Sequence, residues 1–380
     1  MDLTDYRKEI DAIDADLTSL FYKRMDIAAG IAAYKKANGL PALDAKRERD
    51  KLRELMQNSP DALKDYTAQL YSTIFELSRS YQNRILGSNS TLPGDIERAI
   101  KDTPPLFPPE AAVACQGVEG AYSQIACEKL FRMPNVFYCS TFDAVFSAIE
   151  SGFCRYGVIP LENSTAGSVN AVYDLMMRHN FRIVRSVRLK VDHNLLAKKG
   201  VKLENIKEIY SHEQAINQCS AFLAKMKNVK VISCENTAAA AKLVAESDRR
   251  DIAALSSRAC IELYGLDCLA ASVQDRDSNF TRFICISKNL EIYPGADRTS
   301  LMMVLSHRPG SLYKVLSRFN ALGINLNKLE SRPMPERNFE FMFYFDLDTS
   351  VYSPQFIQLM GELEDACERF AYLGSYSEVI

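Results

Sequence analysis

The sequence is poor in the residues from which most metal and cofactor sites are built. It has four histidines in 380 residues, none at zinc-ligand spacing, so neither a metal nor a cofactor is expected. Ten cysteines are present but scattered singly. No Cys-x-x-Cys pair occurs, and most of the thiols sit in apolar stretches where Cys acts as a small hydrophobe. That usage excludes a disulfide framework and points to a reduced cytoplasm. No uninterrupted apolar run is long enough to span a bilayer, and the acidic, polar start has no signal-peptide core. A formal net charge of −2 gives no global field for nucleic acid or an anionic membrane, so any bound anion must be drawn by a local cluster. Phosphate loops are missing as well: Gly117 and Gly120 fit neither the GxGxxG nor the Walker spacing.

What is present falls into three patterns, in a chain long enough for two or three domains. From 3 to 37, Leu3, Tyr6, Ile10, Ile13, Leu17 and Leu20 recur at alternating spacings of three and four, a heptad seam on one long helix. Asn38-Gly39-Leu40-Pro41 stops it. A second helix is expected over 44–56 and a third from 60 onward through Leu63, Tyr66, Leu70, Ile74, Leu77 and Tyr81. A helix of about 35 residues is roughly 50 Å long and cannot bury its seam against two shorter ones, so an intertwined dimer is expected. Residues 87–109 read as a linker rich in Gly, Ser and Pro, with a short helix near 95–101. Beyond 110, short apolar strands alternate with helical stretches, predicting α/β units on largely parallel sheets. The strands are placed at 113–116, 136–139, 156–160, 183–187, 208–211, 229–233, 252–255 and 283–287. Residues 297–380 follow the order β-α-β-β-α-β, the ferredoxin-like α+β motif.

Charged residues interrupt the helical seam. The heptad rhythm past Leu20 lands on Arg24, and a cation there costs free energy unless an anion meets it. Arg7 and Lys35 flank the seam at its two ends. Asp44, Arg47 and Glu48 share one face of the second helix, and Ser78 and Gln82 lie a turn apart on the third. A solvated charged face explains Arg47 and Glu48 singly, but not a cation in place of a seam leucine. Together, Arg7, Arg24, Lys35, Asp44, Arg47, Glu48, Ser78 and Gln82 resemble the active-site set of the all-helical chorismate mutases, over about 1–90. The resemblance implies that the Arg and Lys residues bind the two carboxylates of chorismate. Gln82 and Lys35 would donate to the ether oxygen, and Glu48 would accept from the substrate hydroxyl. Arg7 would cross from a partner subunit. A Claisen rearrangement needs a dianion held in a folded conformer and donors placed where charge develops, which this set supplies.

In the middle segment, polar clusters stand at strand ends: Glu162-Asn163-Ser164-Thr165, Ser211-His212 with Gln218, and Asn279-Phe280-Thr281-Arg282-Phe283. Singly, each is an ordinary cap or turn. Jointly, and with Gly117–Ser123, they resemble prephenate dehydratase over about 110–290, although Val118 and Ala121 stand where that family usually has Pro and Thr. The resemblance implies a two-lobed α/β fold like a periplasmic binding protein, with the chain crossing between lobes near 189–192 and returning before 281. It implies loss of CO2 and hydroxide from prephenate, with Thr281 as proton donor or relay. Arg282, Asn163, Gln218 and Ser211 would bind the substrate, Glu162 would shuttle protons, and Ser164, Thr165 and Phe283 would line the site.

The last segment resembles the ACT domain, an amino-acid sensor. Gly310-Ser311-Leu312 and Glu330-Ser331-Arg332-Pro333 match its phenylalanine-binding segments, with Ser311 in place of the usual Ala. The resemblance implies a multidomain enzyme of phenylalanine biosynthesis with L-phenylalanine as effector, assembled as a homodimer or tetramer. Removing the residues after about 296 is expected to leave it insensitive to phenylalanine. Two alternatives differ in class: a dehydratase alone, with a degenerate helical arm, and a non-enzymatic amino-acid sensor.

Overall fold

The computed structural model describes residues 2–87, 90–334 and 340–380; Ser88 and Asn89 of the expected linker lie outside them. The chain divides into two compact units, Met1–Pro93 with Gln358–Ala366, and Gly94–Ile357 with Cys367–Ile380.

The N-terminal stretch of the first unit contains the helices α1 (Leu3–Ala37), α2 (Ala45–Gln57) and α3 (Lys64–Leu86). A capping box starts α1. The Asp2 carboxylate accepts from the Thr4 and Asp5 amides at 2.7 and 2.9 Å, and Asp5 returns the bond to the Asp2 amide. Only Ala28 and Ala32 of α1 are buried, small residues on which α3 can close. The expected seam is bare. Leu3, Tyr6, Ile10, Ile13, Leu17 and Leu20 are each more than half exposed within this chain.

The second unit holds three sheets. The strands are β1 (Glu110–Gln116), β2 (Met133–Cys139), β3 (Tyr156–Asn163), β4 (Gly167–Ser168), β5 (Arg182–Lys190), β6 (Asn194–Lys198), β7 (Glu208–Ser211) and β8 (Lys230–Ser233). They continue with β9 (Ile252–Ser256), β10 (Leu266–Ala270), β11 (Phe280–Ser287), β12 (Arg298–Val304), β13 (Asn325–Pro333), β14 (Phe341–Asp348), β15 (Arg369–Tyr376) and β16 (Glu378–Val379). Lobe 1 has the order β16-β5-β11-β3-β1-β2, with β4 beside β3; lobe 2 is β10-β6-β9-β7-β8; the C-terminal sheet is β13-β14-β12-β15. That last order, with every pair antiparallel, is ferredoxin-like.

Two expectations change. The sheets of the lobes are mixed rather than largely parallel: β11 runs antiparallel to both β3 and β5, and β6 antiparallel to β9 and β10. The cause is the excursion between lobes. The chain leaves lobe 1 from β5 into β6 and returns from β10 into β11, so the re-entering strand opposes its neighbours. Nor is the C-terminal segment self-contained. Its last strand, β16, lies parallel on β5 in lobe 1, and the Glu378 carboxylate accepts from Arg188 and Arg298 at 3.0 and 2.8 Å. Phe146, Ile159, Tyr173 and Ile284 of lobe 1 share one core with Met302, Tyr344 and Tyr376 of the C-terminal sheet. Cutting after 296 would open that core and leave the β5 edge bare.

Candidate active sites

In the helical unit the polar residues gather along the α1–α3 contact. Lys35 Nζ donates to Gln82 Oε1 at 3.2 Å and to the Ala42 carbonyl at 2.5 Å. Because the ammonium can only donate, it fixes the amide of Gln82 with its NH2 on the other side, toward Ser78 Oγ at 3.4 Å. Ser78 and Gln82 are both buried. The Arg24 guanidinium lies 5.7 Å from the Phe75 ring centroid, and its Nη1 is buried without a hydrogen-bond partner. An unmatched guanidinium nitrogen is costly in a folded chain, and a carboxylate is its natural complement. Asp44 caps α2, accepting from the Arg47 amide at 3.0 Å, and Glu48 pairs with Arg79, a residue the sequence pattern did not single out. Arg7 stands apart: at 1.5 Å rise per residue it is about 25 Å along α1 from Arg24, so it cannot complete this cluster in its own chain.

In the second unit, β3 and β11 pair with Asn163 opposite Thr281 and Glu162 opposite Arg282. Side chains alternate along strands, so these neighbours face opposite ways. On one side a chain of hydrogen bonds forms. Asn163 Oδ1 accepts from the Thr165 and Ala166 amides at 3.0 and 2.9 Å. Its Nδ2 donates to Thr281 Oγ1 at 2.9 Å and Asn279 Oδ1 at 2.8 Å. Asn279 Nδ2 donates to Gln218 Oε1 at 3.0 Å, and that oxygen also lies 2.9 Å from His193 Nε2. Ser164 ties the loop down, donating to the Ser278 carbonyl at 2.8 Å and accepting from the Phe280 amide at 2.9 Å. Beside the chain opens a cavity of about 690 Å³ whose walls include Thr165, His212, Gln218, Gln274, Arg276 and Asn279. Its size suits a small-molecule ligand.

Four expected residues do not join this cluster. Arg282 is buried on the opposite side, its guanidinium paired with Asp346 of β14, with Glu162 at 3.3 Å and with the Tyr376 hydroxyl at 2.7 Å. Glu162 turns the same way, to Lys328 Nζ of β13 at 2.6 Å. Both therefore serve the contact with the C-terminal sheet and not the cavity. Phe283, two residues beyond Thr281 on β11, is buried in the core with Val187 and Cys285. Ser211 is fully buried and its hydroxyl donates to the Leu255 carbonyl at 2.8 Å. Conversely, His193, Gln274, Asn279 and Arg276 were not picked out as site residues. Asn279 stands inside the quoted motif. Arg276 is the only arginine among the described residues lining the cavity.

The sensor segments divide as well. Gly310, at φ +81°, precedes the helix Ser311–Ala321, and Ser311 Oγ lies 3.0 Å from Ser306 Oγ; the half-buried Leu312 follows. On β13, Glu330 accepts from Ser168 at 2.7 Å and Arg332 binds Asp174 through several contacts, the shortest 2.9 Å. Ser331 and Pro333 point to the other, exposed side.

Comparison with known proteins matches this division. Residues 6–83 match the family model Chorismate mutase type II, and residues 113–291 match Prephenate dehydratase. The bifunctional chorismate mutase/prephenate dehydratase of Escherichia coli (strain K12) is 30% identical over 97% of this chain and 95% of its own. Arogenate dehydratase 2 of Petunia hybrida is 37% identical over 70% of this chain and 71% of its own. A crystal structure of prephenate dehydratase from Arthrobacter aurescens in complex with L-Phe aligns with a TM-score of 0.64 at 28% identity, covering 70% of this chain and 89% of that one. With both family models in order and a relative aligned almost end to end, the chain belongs to the bifunctional chorismate mutase/prephenate dehydratases.

Proposed function

We propose that this chain converts chorismate to prephenate in its helical unit and prephenate to phenylpyruvate in its α/β unit, under feedback by L-phenylalanine. The observation that carries the proposal is that each candidate site holds an unmatched buried donor, Arg24 Nη1 in the helical unit and Gln218 Nε2 in the α/β unit. Each is what a carboxylate substrate would satisfy.

The mutase step needs no proton transfer. Arg24, Arg47 and Lys35 hold the two carboxylates and fold the substrate. Gln82 NH2, turned by Lys35, donates to the ether oxygen as the C–O bond breaks, and Glu48 accepts from the ring hydroxyl. Arg7 of a partner subunit closes the site, and the bare seam of α1 is the surface on which the two long helices pair.

The dehydratase step consumes one proton: the ring carboxylate leaves as CO2, its electrons enter the ring, and the hydroxide departs as water. Thr281 accepts from Asn163 through its oxygen, so its own proton is free for the leaving group. Accepting that bond also eases the partial negative charge the oxygen acquires. The proton is then replaced from solvent. Arg276 and Gln218 NH2 take the carboxylates and keto group, the role first assigned to Arg282. The Petunia relative is named an arogenate dehydratase; the same cleft has the groups to act on that amino analogue, and an assay with both substrates ranks them.

Phenylalanine feedback has a path in the contacts of the C-terminal sheet. Arg332–Asp174, Lys328–Glu162 and Asp346–Arg282 all join it to lobe 1, and Glu162 and Arg282 are the chain neighbours of Asn163 and Thr281. An effector that shifts β13 or β14 acts one residue from the chemistry, and the coupling is reciprocal: bound phenylalanine weakens prephenate binding. Ten unpaired cysteines fit a reducing cytoplasm, and no helix among the described residues is long and apolar enough to cross a membrane.

The test is to incubate the purified chain with chorismate and follow phenylpyruvate by its absorbance in alkali. Prephenate accumulating without phenylpyruvate would leave a mutase alone. No consumption of chorismate, with prephenate still converted, would leave a dehydratase with a helical arm.

A further inference from the structure

The hydrogen-bond chain in the cleft has only one possible direction. Backbone amides can only donate, so the bonds from Thr165 and Ala166 fix the Asn163 side-chain oxygen and leave its NH2 facing Thr281 and Asn279. Asn279 must therefore present its oxygen to Asn163 and its NH2 to Gln218. Gln218 must then present its oxygen, and an oxygen cannot be met by the lone pair of His193 Nε2 at 2.9 Å. That nitrogen carries the proton. His193 Nδ1 is consequently the unprotonated nitrogen, and it is buried with no donor against it. Of the three amides in the chain, Gln218 is the one whose NH2 meets no acceptor, and Gln218 lines the cavity.

His193 sits where the chain passes between lobes. It joins β5 to β6, its amide is held by Gln274 Oε1 at 3.0 Å, and the ring is almost fully buried. Burial pushes its pKa down, against the pull of the Gln218 bond and the Asp192 carboxylate, so the ring is neutral at working pH.

We propose that His193 is a positioning residue for the dehydratase step: its Nε2–H holds the Gln218 oxygen, which turns the Gln218 NH2 toward the substrate and keeps Asn279, Asn163 and Thr281 in one donor order. Without it, the Asn279 NH2 alone holds the Gln218 amide against a half-turn rotation, which would oppose Asn279 NH2 with another NH2 and point a carbonyl oxygen at an anionic substrate. This rests on the dehydratase reading above, and the experiment separates the two.

The full chain is prepared with His193→Phe and His193→Gln, and kcat and KM for prephenate are compared with the unaltered enzyme. Mutase activity on chorismate in the same samples serves as the internal control. Phe keeps an aromatic ring and loses the donor; Gln loses the ring and keeps a donor near the Nε2 position. Loss of kcat/KM by about tenfold or more in the Phe variant, with most of it regained in the Gln variant, is the expected result. A packing role predicts the reverse order. Wild-type kinetics in the Phe variant, or equal damage in both, would overturn the proposal, whereas an unaltered enzyme inert toward prephenate would overturn the dehydratase reading instead. Should the Phe variant fail to fold, nitrogen-15 resonances of the four histidines in the unaltered chain decide it, with His193 assigned through the Gln variant. The Nε2–H tautomer is expected, and Nδ1–H would contradict the chain of donors.

Discussion

The helical unit and the α/β cleft handle anions by opposite means. On α1 the recognition groups are long cations, Arg24 and Lys35, set against apolar or amide neighbours and short of carboxylate partners among the described residues. In the cleft the central groups are neutral amides, Asn163, Asn279 and Gln218, each holding the next, with a single arginine on the cavity wall. The difference follows from the chemistry proposed for each. A rearrangement asks only that a dianion be folded and its developing charge met, which point charges do well. A decarboxylation that expels hydroxide asks for one proton at one atom, and neutral groups of fixed polarity direct a proton better than mobile cations.

The largest effect should come from dividing the mutase site between subunits. Arg7→Ala and Arg24→Ala should each lower mutase kcat/KM by about a hundredfold or more. Mixing and re-annealing the two inactive chains should restore about a quarter of the wild-type sites, because half the dimers are mixed and each holds one intact site. No recovery would place Arg7 outside the site or remove the intertwined dimer.

An effect of comparable size, on stability and not on rate, is expected where lobe 1 meets the C-terminal sheet. Asp346→Ala leaves the buried Arg282 guanidinium without its carboxylate and should cost about 3–5 kcal/mol of stability, read by denaturant unfolding. A change under about 1 kcal/mol would mean that the pair is solvated in solution. Smaller than both, Arg332→Ala and Asp174→Ala should each weaken phenylalanine inhibition by about tenfold. If only the arginine variant does so, Arg332 touches the effector directly and the ion pair transmits nothing.

The smallest effect is in pH. The folded-state pKa of His193 lies below its unfolded value, so the unfolded chain takes up the proton first as pH falls. Its contribution to stability is complete above about pH 6.5 and declines as pH drops toward the folded value. His193→Gln should flatten that slope relative to the parent, measured by urea unfolding between neutral and mildly acid pH. An identical slope would mean the ring titrates normally.

Much of this architecture was legible in the sequence because it is periodic. All eight expected strands of the lobes appear, as do the three long helices, since heptads and alternating apolar runs leave a signature. Strands β4, β6, β10 and β16 were not anticipated: β6 follows β5 without a turn signal, and β4 and β16 are two residues each that gain a partner only in three dimensions. The sites were legible unevenly for the same reason. The mutase residues fall on helical faces that spacing reveals. In the cleft, Thr281 and Arg282 arrived as one motif, yet the alternation of a strand sends them to opposite sides. That period was present in the sequence, and it separates the hydroxyl held by Asn163 from the guanidinium that faces the C-terminal sheet. His193 carried no local pattern, because its partner is supplied by a helix of the other lobe.

The claim that most needs testing is that one chain holds two independent sites. Two-substrate kinetics on Arg24→Ala and Thr281→Ala, with circular dichroism to confirm folding, address it directly. Arg24→Ala should lose the mutase by about a hundredfold or more while converting added prephenate at the wild-type rate. Thr281→Ala should turn chorismate over normally and stop at prephenate. A folded variant in which either single substitution abolished both activities would contradict the account.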